Sequence, residues 1–105
     1  MNKHNIFENI PKPSKEEFVQ TILTNTTLKI QRIVSNGHIS PKEGWYKAKT
    51  DEWVILLEGE ATLSFKNAND VQLIVGDFLN IEANSEHKVS WTKENCNTVW
   101  LVVHY

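Results

Sequence analysis

The stretch Asp51-Glu52-Trp53-Val54-Ile55-Leu56-Leu57-Glu58-Gly59-Glu60-Ala61-Thr62-Leu63-Ser64-Phe65 constrains the fold more than any other part of the chain. Trp53–Leu57 is wholly apolar, and Ala61, Leu63 and Phe65 then alternate with Thr62, Ser64 and Lys66. Alternation with a period of two is the mark of a strand with one buried face. The spacing predicts two strands folded back on each other at Glu58-Gly59-Glu60, where Gly59 supplies the backbone freedom for a reversal.

The same pattern continues on both sides. Leu28–Ser35 reads as a strand, followed by turns at Asn36-Gly37-His38 and Pro41–Gly44. Beyond the centre come Val71–Ile74, Phe78–Ile81, His87–Thr92 and the strongly apolar Thr98–Tyr105, separated by polar or glycine-containing turns. Asn5–Ile10 reads as a short edge strand. Ser14 as an N-cap, Glu16 and Glu17 in a first turn, and Phe18, Val19, Ile22 and Leu23 at helical spacing predict a helix over about Lys15–Leu23. Many short strands at regular spacing, preceded by one helix, mean an all-β sandwich or barrel. The terminal strand is too apolar to remain a free edge, which predicts closure or a homodimer.

The chain has 105 residues, enough for one core and no second one. Its net charge of -2 leaves no electrostatic footprint for nucleic acid or an anionic membrane. No apolar run is long enough to span a bilayer, and Met1–Glu8 lacks the apolar core of a signal peptide, so a cytoplasmic location is expected. Cys96 is the only cysteine, which excludes an internal disulfide or a thiolate cluster.

Glu52-x6-Gly59-Glu60, Gly76-Asp77 and His87, in this order and spacing, resemble the two sequence segments of the cupin family, over roughly Ile30–Tyr105. The resemblance implies a double-stranded β-helix (jelly-roll barrel), here with the short N-terminal helix: the barrel over about 28–105 and the N-terminal strand and helix over about 5–24. The sequence also resembles short, uncharacterised cupins with an aromatic pair before the Glu and a terminal Trp-Leu-x-Val-His strand, and the resemblance implies no established substrate. Metal-binding cupins use a His-x-His pair, a Glu and a later His. Here the pair falls on Tyr46 and Ala48, or on Trp45 and Lys47, so only Glu52 and His87 match. The second segment's proline and glycine are Glu82 and Asn84, and its final asparagine is Trp91.

Strand parity sorts the remaining candidates. Tyr46 and Glu52 are both able to point inward, His87, Val89 and Trp91 share a face, and so do Thr98, Trp100, Val102 and His104. Arg32 shares a face with Ile30 and Val34 and needs a partner there. Trp53 is offset from Glu52 and faces away from the interior. His4 and His38 read as surface residues.

Three readings follow. The first is a metal-free pocket for a small organic molecule, with Tyr46, Trp91 and Trp100 as walls and Glu52, His87, Arg32 and His104 as polar groups. The second is one divalent ion (Zn, Fe, Mn or Ni) on Glu52 and His87, completed by Tyr46, His104 or water, in an isomerase- or oxygenase-type enzyme. Two matched ligands are fewer than a protein metal site usually needs. The third is an acid–base pair of His87 and Glu52 acting without metal. The pocket reading is preferred. Whether Tyr46 or Trp45 faces inward depends on one residue of register.

Overall fold

The strand made from the terminal apolar run lies in the middle of a sheet. In the computed structural model, which describes residues 1–105, eight strands run β1 Phe18–Thr24, β2 Lys29–Ser35, β3 Glu52–Glu58, β4 Ala61–Phe65, β5 Ala68–Leu73, β6 Phe78–Ile81, β7 His87–Thr92 and β8 Thr98–His104. They form a five-stranded sheet, ordered β1-β2-β8-β3-β6, and a three-stranded sheet, ordered β5-β4-β7. β8 pairs antiparallel with β2 on one side and β3 on the other, so closure within the chain satisfies the edge that its sequence could not leave open.

Two facing rows make the core. Val54 and Leu56 of β3 and Trp100 and Val102 of β8 point at Ala61 and Leu63 of β4, all at most 4% exposed. Fully burying one such aliphatic or aromatic side chain contributes about 1.5–3 kcal/mol. Alternation therefore decides which residues of each strand can reach the space between the sheets.

The structure corrects three readings of the sequence. No helix forms at Lys15–Leu23; this segment lies largely in β1, paired with β2. Its Val19, Thr21, Ile22 and Thr24 are β-branched and favour a strand. A register shift between Thr21 and Leu23 inserts one residue, which interrupts the period of two inside the strand. Asn5–Ile10 is a turn closed by Glu8 N–H to Asn5 O at 3.0 Å, not an edge strand.

Third, β3 and β4 are not a hairpin. β3 pairs with β6 and β8, while β4 pairs with β5 and β7, so the chain crosses from one sheet to the other at Glu58-Gly59-Glu60. Gly59 has φ +86°, and a Cβ there would stand 2.7 Å from Asn97 O and from Thr98 Cα. The crossing thus needs glycine both for its dihedral and for its close approach to β8. No helix is long and apolar enough to cross a membrane.

Candidate functional site

A cavity of about 590 Å³ opens between the sheets. Its floor is apolar and buried: Val54 from β3, Leu63 from β4, Ile81 from β6, and Trp100 and Val102 from β8. Its mouth is formed by the β2–β3 connection, where Trp45 and Tyr46 both line it, and by Val19 of β1. The question of which aromatic faces inward therefore has the answer that both border the space.

Two ionisable side chains are sunk into this apolar wall. Glu52 opens β3 and His87 opens β7, and each side chain is 8% exposed. The strands bring them from 35 residues apart in sequence to 3.9 Å between Glu52 Oε2 and His87 Nε2, beyond ordinary hydrogen-bond length. His87 is oriented from behind: its Nδ1 lies 2.8 Å from the Ser85 carbonyl, which only accepts, so Nδ1 carries the proton and Nε2 is the atom turned to Glu52. Tyr46 fixes the ring further. Its N–H and C=O exchange 2.9 Å hydrogen bonds with the His87 backbone, and the two rings meet edge to face at 5.3 Å. Glu52 Oε1 is buried without any hydrogen-bond partner. A buried carboxylate oxygen of this kind is costly unless something supplies a donor.

The surroundings are electrostatically lopsided. Burial, and then the nearby Glu52 charge, raise the Tyr46 hydroxyl above its ordinary value of 10.0, so it remains a neutral phenol. His104 is paired across the sheet with Glu52. Burial holds it below 6.5, outweighing the Glu52 charge that pulls the other way. Its Nε2 sits 3.0 Å from Gln31 Oε1 and its Nδ1 3.5 Å from Thr50 Oγ1, so both nitrogens are engaged.

Tyr46, Glu52, His87 and His104 thus meet at one cavity, and two other residues expected there do not. Arg32 lies on the opposite face of β2, 3% exposed, with Nη1 donating to Ile6 O at 2.9 Å and Glu8 O at 2.6 Å. Its partner is the N-terminal turn. Trp91 is 42% exposed and turned outward. Val89 pairs with Leu63 and Trp91 with the adjacent Thr62, so Ser90 is an extra residue that reverses the parity of β7. His38, expected at the surface, is half-buried and clamps the N-terminal segment through Ser14 O at 2.8 Å.

Glu17, Gln31, Glu43 and Lys88 also line the cavity and were not singled out by the sequence. Glu17 was hidden by the mistaken helix. Lys88 sits next to His87 but carries no pattern of its own; its Nζ lies 4.6 Å from the Trp45 ring centre and donates to Lys42 O at 2.7 Å.

The cupin-domain family matches residues 36–104. This chain belongs to the cupin family. Among solved structures, a protein from Ralstonia eutropha JMP134, named a candidate mannose-6-phosphate isomerase, is 36% identical with a TM-score of 0.93; the match covers 99% of this chain and 97% of that one. A cupin superfamily protein from Desulfitobacterium hafniense DCB-2 is 17% identical (TM-score 0.75, covering 90% and 82%). An RmlC-like cupin with a double-stranded β-helix fold from Methanocaldococcus jannaschii is 16% identical (TM-score 0.70, covering 90% and 84%). These last two show the fold alone. No curated protein sequence matches this one.

Cupins often hold a metal ion, and this cupin's donor set can be tested for one. Glu52 Oε1 is free and His87 Nε2 lies 3.9 Å from Oε2 of the same carboxylate, which is a beginning. No group of three His, Cys, Asp or Glu side chains surrounds a common point, however. Both His104 nitrogens are taken, and Tyr46 stays protonated. Three protein ligands are the usual minimum for a retained ion. The residues present do not fit a tightly held divalent metal.

Proposed function

We propose that this cupin binds a small organic molecule in the cavity between its sheets, with Glu52 and His87 as the polar anchor. The observation that carries the reading is the buried, partnerless Glu52 Oε1 set in an apolar wall beside His87. A few convergent polar groups in a mostly apolar concavity are the usual composition of a ligand site, the polar groups fixing orientation and the walls supplying contact area. Trp45, Tyr46 and Trp100 give this cavity aromatic walls.

The test is a fragment titration followed by the backbone and indole N–H signals of metal-free protein. The reading expects shifts at Val54, Leu63 and Trp100 that vanish in Val89→Trp, which places an indole at the half-buried cavity wall while the strand pattern is retained. Shifts confined to the outer sheet faces, or unchanged in that variant, would contradict it.

A second reading has one specific support: the similar Ralstonia eutropha protein is named as a candidate isomerase. In it, His87 Nε2 takes a proton from a bound hydroxyl or carbon acid and Glu52 balances the imidazolium that forms. Such a reaction needs no net change of oxidation state. Turnover of a sugar phosphate that disappears in His87→Gln would establish it.

A homodimer is proposed through β1. This edge strand leaves Val19, Ile22 and Leu23 about half exposed, more apolar surface than an edge ordinarily shows. Light scattering at micromolar concentration should give twice the 12.1 kDa chain mass, and a monomer that persists at high concentration would refute it.

A further inference from the structure

Resting on the pocket reading above, we infer that the ligand of this cavity is a small organic cation, an ammonium-bearing molecule with an apolar or aromatic body. Glu52 Oε1 is an acceptor with no donor, on a side chain more than nine-tenths buried and lining the cavity. His87 Nδ1–H donates to Ser85 O, and Nε2 is the atom turned toward Glu52. A ligand group reaching this point must therefore bring protons and finds a negative charge waiting.

The rest of the lining has the same sign. Glu17, Glu43 and Glu52 contribute three carboxylates and Lys88 one ammonium, an excess of two negative charges; Tyr46 and His104 are held neutral. The ammonium of Lys88 already donates to Lys42 O and lies against the face of Trp45. That contact places an ammonium 4.6 Å from the centre of an aromatic ring at the mouth. Aromatic faces with a desolvated carboxylate are the recognition chemistry of organic cations. An anionic ligand would instead meet the partnerless Glu52 oxygen and an excess of carboxylates, and a neutral alcohol would leave the Glu52 charge uncompensated. The proposal departs from the sugar phosphate that the name of the Ralstonia eutropha protein would suggest.

The experiment uses three probes of one shape and different charge: benzylammonium, benzyl alcohol and benzoate. Each is titrated calorimetrically into metal-free full-length protein at neutral pH, with the Trp100 indole N–H signal reporting occupancy and manganese and zinc chlorides run alone. The expected result is benzylammonium binding at least tenfold tighter than either isostere, with a Trp100 shift. In Glu52→Gln, which keeps shape and loses charge, that preference should fall at least tenfold. Benzoate or a sugar phosphate binding more tightly, or an unchanged preference in Glu52→Gln, overturns the cation assignment while leaving the pocket standing. No Trp100 shift with any of the three removes the pocket as well. One metal ion per chain, competing with benzylammonium and lost in both Glu52→Gln and His87→Ala, assigns the anchor to an inorganic cation and refutes the organic one.

Discussion

Replacing Glu52 by Gln should make the protein more stable, and the size of the effect follows from the geometry. The wild-type carboxylate is buried, has one oxygen without a partner, and stands 3.9 Å from an imidazole nitrogen, too far for a hydrogen bond. Leaving a buried polar group unsatisfied costs about 1–3 kcal/mol, with charged groups at or above the upper end and neutral amides near the lower. Gln keeps the volume and the orphaned oxygen and removes the charge. The difference is about 1 kcal/mol in favour of the variant. For a chain of this length that raises Tm by about 4–8 °C. Circular-dichroism melts at neutral pH on protein refolded from urea, which strips co-purified ligand, provide the assay. A Tm unchanged or lowered would mean that the Glu52 charge is already compensated in the ligand-free fold, and the argument from an unsatisfied anchor would fail. A gain in stability at the expense of binding is what a site held ready for a ligand should show.

Arg32→Met should destabilise by about 2–3 kcal/mol, because two charge-assisted bonds to Ile6 and Glu8 carbonyls are lost. It should also speed protease cleavage near Ile6 and leave probe binding within twofold, since Arg32 faces away from the cavity; a large loss of binding would contradict that placement. Gly59→Ala should cost about 2–4 kcal/mol by urea melts, from positive φ together with the clash at β8. Gly44→Ala, also at positive φ but in open space, should cost only about 1 kcal/mol, and equal losses would refute the close-approach argument. His104 is held below 6.5 in the fold, so between 6.5 and its folded value the unfolded chain binds more protons. Stability should therefore fall as pH drops below 6.5, and His104→Gln should flatten that slope in melts taken from pH 7 to 5.

Strand positions were legible because one face of most strands is buried, and burial writes itself as a period of two. Pairing was less legible. Nothing in Leu57–Ala61 distinguishes a hairpin from a crossing between sheets, since both need Gly59; the difference lies in Asn97 and Thr98, far along the chain. Both other misreadings that touch the site come from single inserted residues. The irregularity at Ile22 interrupts the alternation of β1, and the extra residue at Ser90 turns Trp91 out of the cavity that His87 and Val89 enter. One-residue insertions leave no mark on composition and reverse every side chain beyond them. Glu52 and His87 were found through the family resemblance, whereas Arg32 was placed in the correct parity class but on the face that the N-terminal turn covers.

The most direct test of the account is a crystal structure of the protein soaked with benzylammonium. The account expects the ammonium nitrogen within hydrogen-bond distance of Glu52 Oε1, its ring against Trp100, and His87 Nδ1 still bonded to Ser85 O. Density elsewhere on the surface, with Glu52 Oε1 still alone, would contradict it.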